Sequence, residues 1–169
     1  MTRPLRVVAV CMGNICRSPT AEAVLRAKLS EAGLGERVEV DSAGTFGGHA
    51  GEPPDPRAQA VALRRGYDLS ALRARRLEPG DAEADLVLAM DRGNLRRTAQ
   101  VVGAHAGLSL FLVTATGGSE VPDPYSGGHE GFERVLDMIE RGADEWVVRI
   151  GDLLEARPDT KAPPGGSGT

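Results

Sequence analysis

From Leu5 to Val10 the chain is apolar except for Arg6, the pattern of a parallel strand buried on both faces. The apolar spacing then turns helical. Ala21, Val24, Leu25, Leu29 and Ala32 share one face of a helix predicted from about Ser18 to Ala32, and Gly33 marks its end. Arg37–Ser42 reads as a second strand that leads into the glycine-rich stretch Gly44–Gly51. Asp55 suits the N-cap of a helix from about Pro56 to Arg65. A third strand (Asp85–Met90), a helix (about Arg92 to Val102) and a fourth strand (Leu108–Val113) follow. The last helix, from about His129 to Ala156, carries the stripe Phe132, Leu136, Ile139, Trp146, Val147, Ile150 and Leu154, with Gly142 as a candidate irregularity. This alternation predicts an α/β fold in three layers, with a central four-stranded parallel sheet and helices on both faces. A ligand site belongs at the carboxyl ends of its strands.

Composition narrows the function classes. At 169 residues, one domain over 1–157 is expected, followed by a Pro/Gly/Ser-rich stretch, 158–169, read as a disordered tail. Net charge is −4 and no basic stripe is interleaved with aromatics, so the chain is read as binding no nucleic acid. Arg73, Arg75 and Arg76 are read as a solvated face. No apolar run has the length of a membrane span or a signal peptide, which predicts a cytoplasmic protein without membrane attachment. The two cysteines share one segment and exclude a disulfide framework. The three histidines (His49, His105, His129) are scattered, and no metal site or cofactor is expected.

The chemistry concentrates where the first strand ends. Residues 11 to 18 read Cys-Met-Gly-Asn-Ile-Cys-Arg-Ser. A loop curling from Cys11 to Arg17 can aim several backbone N–H groups, and the N-terminus of the following helix, at one phosphate-sized anion. Arg17 adds a rigid fork for two phosphate oxygens. The same field favours the thiolate of Cys11 as a nucleophile. By spacing alone, a buried structural cysteine serves equally well. Far downstream, Val121-Pro122-Asp123-Pro124-Tyr125-Ser126-Gly127-Gly128 is stiffened by two prolines and ended by two glycines. Asp123 there is a candidate general acid and Tyr125 a candidate wall for an aromatic leaving group. Taken alone, this segment reads better as a surface turn.

Together the two segments resemble the low-molecular-weight protein tyrosine phosphatases, whose Cys-x5-Arg-Ser follows the first strand and whose Asp-Pro-Tyr loop lies far downstream. The resemblance runs over about residues 5 to 156. It takes in Asp41-Ser42-Ala43-Gly44-Thr45, Pro54-Asp55-Pro56-Arg57-Ala58, Ala89-Met90-Asp91 and Asn94-Leu95 as well. It implies hydrolysis of phosphotyrosine in proteins through a cysteinyl-phosphate, in a monomer or weak dimer that needs no cofactor. Cys11 is then the nucleophile, Arg17 the phosphate grip, and Asp123 the general acid and later the base. Asn14, Ser18 and Ser42 brace the phosphate-binding loop, to which Met12, Gly13, Ile15 and Cys16 also belong. Phe46 and Tyr125 form the substrate slot. The family also carries a cysteine at the place of Cys16, which implies a disulfide with an oxidised Cys11; packing of the loop is the alternative role.

The chain departs from the family pattern at three places. Leu72 stands where a loop-bracing His is usual, and Arg73 is a candidate to reach in instead. Gly48 stands where a slot-lining Trp is usual, with Phe46 near enough to substitute. Ser126 replaces the second of a tyrosine pair. Four other readings share parts of the pattern. Thioredoxin-coupled arsenate reductase needs cysteines beyond Cys16, and none follows. Arginine-phosphate phosphatases resemble a Thr at Ile15. The larger tyrosine phosphatases have His where Val10 stands. A non-catalytic phosphate-binding module needs neither nucleophile nor acid.

Overall fold

The computed structural model describes residues 3–114 and 117–157. Its element order is β1 (Leu5–Cys11), α1 (Arg17–Glu31), β2 (Val38–Gly44), α2 (Pro56–Arg64), β3 (Leu86–Ala89), α3 (Arg92–Val102), β4 (Leu108–Leu110), β5 (Leu112–Thr114), β6 (Gly117–Ser119) and α4 (His129–Ala156). The stretch 158–169, read as a tail, lies outside the described residues.

Strands β2-β1-β3-β4 form the expected four-stranded sheet, parallel throughout. Strand β1 is central and apolar because both of its faces are covered. Val7 and Ala9 belong to the core under α1 and α4, while Val8 and Val10 pack with Ala43, Leu77, Ala84 and Val87 on the α3 side. The chain leaves β1 for β2 on one side and returns to β3 on the other. The carboxyl end of β1, Cys11, is therefore the switch point at which such sheets open a crevice.

Two helix ends follow from single residues. Gly33, with φ of 76°, takes the left-handed conformation just past α1. Asp55 accepts from the Arg57 N–H and caps α2, whose first residue is Pro56. Ala32, expected on the apolar face of α1, is exposed beyond the helix end.

The fourth strand is shorter than its pattern predicts. It stops at Leu110, and Leu112–Thr114 pairs antiparallel with Gly117–Ser119 in a separate ribbon. The cause lies at Phe111. Its N–H still reaches Ala89 O, but its carbonyl accepts from Trp146 Nε1 at 2.6 Å and is withdrawn from strand pairing. The fully buried Phe111 ring fills the space beside Gly142, where a Cβ would come within 2.7 Å of it. Gly142 thus leaves α4 unbroken and makes room for an aromatic ring.

Candidate active site

Between β1 and α1 the loop folds back over the end of β2. Its close approach depends on Gly44, whose Cβ would lie 2.6 Å from Met12 O and 3.1 Å from Asn14 N. Asn14 adopts φ of 57°, a left-handed conformation that asparagine tolerates better than most residues. That turn aims the Asn14 N–H at Cys11 Sγ, 3.3 Å away. The amides of Gly13, Ile15, Cys16 and Arg17 have no acceptor among the described residues, so they are free to converge on an oxyanion.

A buried polar network holds this shape. Asn14 Nδ2 donates to Ser18 Oγ (2.7 Å) and to Ser42 Oγ (2.9 Å), and Asn14 Oδ1 accepts from the Arg75 N–H (2.9 Å). An amide nitrogen can only donate, so Ser18 Oγ accepts from it and keeps its own proton. That proton points to Cys11 Sγ at 3.0 Å or to Ala43 O at 3.4 Å. Ser42 in turn donates to Glu22 Oε1 at 2.8 Å. Burial pushes the Glu22 carboxyl up, against the opposing pull of Ser42 and of Arg26. Arg73 does not take over from the missing histidine. Its guanidinium donates to Ser70 O and Leu72 O, while Asn14 Oδ1 is held by the Arg75 N–H.

Arg17, almost wholly buried, sits at the first position of α1. Its Nη1 donates to Asp91 Oδ2 (2.7 Å) and Val121 O (2.9 Å), and its Nη2 faces Asp123 Oδ2 at 3.5 Å. Burial alone would raise the Asp91 carboxyl, but the Arg17 and Asn94 hydrogen bonds hold it below the usual carboxylate range. Asp123 caps its own turn, with Oδ1 accepting from the Tyr125 N–H. A second arginine ties that turn to the loop. Arg57 donates to Tyr125 O and Gly127 O while pairing with Asp55, whose N–H donates to Ile15 O.

These residues enclose a narrow cavity of about 60 Å³ lined by Cys11, Met12, Gly13, Ile15, Cys16, Arg17, His49, Asp123 and Tyr125. All three residues expected to do chemistry are there. The aromatic side of the slot differs in detail from expectation. His49 lines the cavity, with Tyr125 at 6.5 Å on one side and Phe46 edge-on at 6.2 Å on the other. Phe46 itself stands one ring back, where it occupies the space a side chain at Gly48 would take. Cys11 and Cys16 are both free and buried, and burial pushes the Cys16 thiol well up, helped by Asp55 and Cys11.

Sequence reasoning left His49 among three scattered histidines and gave Asp91, Glu22 and Arg57 no role. For Asp91 and Arg57 the family motifs Ala89-Met90-Asp91 and Pro54-Asp55-Pro56-Arg57-Ala58, which contain them, were a signal. For His49 there was none, because its place depends on how the glycine-rich stretch wraps over Gly13. Among the described residues no group of three or more His, Cys, Asp or Glu is arranged to hold a metal ion.

Comparison with known proteins agrees with this geometry. The sequence model of the family described as "Low molecular weight phosphotyrosine protein phosphatase" matches residues 6–156. The chain is 43% identical over 159 residues to a low molecular weight protein-tyrosine-phosphatase of Streptomyces coelicolor, covering 90% of this chain and 97% of the relative. Its fold superposes with a TM-score of 0.82 and 32% identity on a protein tyrosine phosphatase from Entamoeba histolytica with Hepes in the active site, over 89% of this chain and 99% of that one. It superposes with a TM-score of 0.76 and 30% identity on Wzb of Vibrio vulnificus in complex with benzylphosphonate, over 85% of this chain and 97% of that one.

Proposed function

The chain belongs to the low molecular weight phosphotyrosine protein phosphatase family, and on that premise we propose that it removes phosphate from phosphotyrosine in proteins with Cys11 as nucleophile, Arg17 as phosphate grip and Asp123 as acid and base. The observation that carries this reading is the position of Cys11 Sγ. It lies 3.0 Å from the Ser18 hydroxyl, in a cradle of free amides whose Arg17 faces Asp123 across the cavity.

The thiolate of Cys11 attacks phosphorus, an S–P bond forms and the P–O bond to the tyrosyl oxygen breaks. Protonated Asp123 gives its proton to the departing phenolate. Negative charge on the equatorial oxygens is met by the loop amides and Arg17, which are held in place beforehand. In the second step Asp123, now a carboxylate, takes a proton from water as the water oxygen attacks phosphorus. The S–P bond breaks, and the sulfur regains its charge beside the Ser18 hydroxyl and the Asn14 N–H. The Ser42–Glu22 and Arg75 contacts hold Asn14 and so position the loop without touching substrate.

Ile15 and Tyr125 shape the slot for a flat aromatic carrier, with His49 closing its side. Benzylphosphonate and Hepes in the two related structures are a benzyl-bearing phosphonate and a sulfonate, both oxyanions, and the first also carries an aromatic ring, as this reading requires. Among the described residues no helix is long and apolar enough to cross a membrane, and a cytoplasmic phosphoprotein substrate fits that. The family resemblance implies a monomer or weak dimer.

The test is phosphate release from an aryl phosphate and from a phosphotyrosine peptide by wild type and Cys11→Ser. The variant should lose turnover and still bind inorganic phosphate, because the amides and Arg17 remain. EDTA should leave the wild-type rate unchanged. Appreciable turnover by Cys11→Ser, or a rate abolished by EDTA and restored by a divalent ion, would overturn the covalent mechanism.

A further inference from the structure

Beside the catalytic cavity, and sharing Met12, Arg17 and Asp123 with it, runs a larger groove of about 490 Å³. Its far wall is α3, which contributes Asn94, Arg96, Arg97 and Gln100. The charges on this wall are unevenly satisfied. Asp91 is fully engaged, with one carboxylate oxygen on Arg17 and the other on the Asn94 N–H. Asp123 faces Arg17. Arg92, on the first turn of α3, is tied to Glu120 and Gly118 O. Arg96 and Arg97 are exposed and make no hydrogen bond or ion pair among the described residues.

Arg96 and Arg97 thus place two unpaired guanidinium groups in a groove that opens from the anion cradle. No anion among the described residues pairs with either of them. An anion laid in the groove would, since each guanidinium presents a fork of donors to a carboxylate or phosphoryl group. Gln100 adds an amide on the same wall, three and four residues along the helix. The positive N-terminal end of α3 lies at the same side of the site.

We propose that this groove is a second substrate subsite, in which Arg96 and Arg97 select phosphotyrosine segments carrying an anionic side chain close to the phosphotyrosine. The inference rests on the phosphotyrosine reading above. The ligand chemistry is a carboxylate or a second phosphoryl group on the same extended segment. Each residue of an extended chain advances roughly 3.3 Å, so a groove adjoining the cradle is reached within a few residues of the phosphotyrosine. Arg96 and Arg97 touch no reacting atom. Their contribution is to binding of the flanking segment, and a small aryl phosphate does not reach them.

The experiment compares kcat/KM for para-nitrophenyl phosphate and for phosphotyrosine peptides that are identical except at the three residues on either side. Those positions carry Ala, Glu, Lys or phosphoserine in turn, so the Glu and phosphoserine arms distinguish the two sources of charge. Wild type should favour a Glu or phosphoserine peptide over its Ala counterpart by roughly five- to tenfold, mainly through KM and less at high salt. Arg96→Glu/Arg97→Glu should remove that gain and leave para-nitrophenyl phosphate turnover within about twofold. Arg141→Glu, an equal charge change per site on the exposed side of α4 and outside the groove, should keep the gain. A gain that survives in the double variant, is lost equally in Arg141→Glu, or is absent in wild type overturns the subsite and leaves the phosphotyrosine reading standing. Turnover of the aryl phosphate with none of the phosphotyrosine peptides would overturn the substrate reading, and the subsite with it.

Discussion

Arg17 and Asp91 form a pair in which the anion orients the cation. Asp91 Oδ2 holds Arg17 Nη1 at 2.7 Å while the other Asp91 oxygen caps α3 through the Asn94 N–H at 2.7 Å. One carboxylate thus fixes the direction of the Arg17 guanidinium and the start of the helix that walls the adjoining groove.

Replacing Asp91 by Asn keeps a good helix cap and removes the charge behind Arg17. Two effects compete. Loss of a nearby anion strengthens the pull of Arg17 on phosphate, whereas loss of a charge-assisted hydrogen bond, worth about 1.5–3 kcal/mol, frees the fork to swing. Arg17 then retains Val121 O and the longer 3.5 Å contact with the exposed Asp123, so orientation should dominate. Asp91→Asn is expected to lower kcat/KM for an aryl phosphate about tenfold and to raise the inhibition constant of inorganic phosphate. An unchanged kcat with tighter phosphate binding would show that Asp91 only dilutes the charge of Arg17.

The same pair gives a pH dependence of stability. The folded Asp91 carboxyl lies below its unfolded value, so its contribution is complete above the ordinary carboxylate pKa of about 3.9 and is lost as pH falls through the lower folded value. Asp91→Asn lacks that contribution at neutral pH, and its stability should converge with wild type in acid. Urea denaturation at neutral pH and below pH 3 measures the gap, and a gap that stays constant or widens in acid contradicts the assignment.

Removal of the acid should depend on the leaving group. Asp123→Ala is expected to reduce kcat by roughly 10²–10⁴ for tyrosine-like phosphates. The loss should shrink for aryl phosphates whose phenol is already acidic, because these depart without a proton. Equal loss for both would assign Asp123 to holding Arg17 and the 121–128 turn, not to proton transfer.

Gly44 makes the loop possible, and its substitution tests how rigidly the loop is held. A methyl group there meets Met12 O and Asn14 N, which are backbone atoms that cannot rotate away. Overpacking of this kind costs about 1–3 kcal/mol. Gly44→Ala should lower Tm by several degrees and kcat/KM at least tenfold, whereas Gly80→Ala, with nothing within 4 Å of the added methyl, should do neither. Unchanged kinetics in Gly44→Ala would mean that the loop can shift without consequence.

Cys16 is buried with a thiol that burial holds protonated, so it does not compete with Cys11 for peroxide. Oxidation should begin at Cys11, and the resulting sulfenic acid can condense with Cys16. Peroxide followed by dithiothreitol should restore wild type and leave Cys16→Ser largely inactive. Equal recovery of both, with no Cys11–Cys16 linkage by mass spectrometry, would leave Cys16 a packing role alone.

Much of the site was legible before folding because its first half is contiguous. Cys11, the loop and Arg17 lie within one strand–loop–helix unit whose hydrophobic pattern sets where the strand ends. The approach of Asp123 to Arg17 was readable only through family resemblance. Their 3.5 Å separation is made by Val121 N–H donating to Met90 O and Val121 O accepting from Arg17, contacts that no local pattern encodes. The fourth strand was overextended because Leu108–Val113 is uniformly apolar, and only Trp146, far along the chain, takes the Phe111 carbonyl out of the sheet.

By itself the sequence determined the order of the main strands and helices, the parallel sheet, and the Cys11–Arg17 loop at the end of β1, since each rests on residue spacing along one element or one turn. The tertiary structure decided what depends on meeting across the chain. It put Asp91 behind Arg17, the Arg75 N–H on Asn14, His49 in the slot wall, and two unpaired arginines in a groove beside the cradle. The physical reason is that periodicity specifies which face of an element is buried, while partners for polar and charged groups are chosen by whatever the packed layers bring within hydrogen-bond reach.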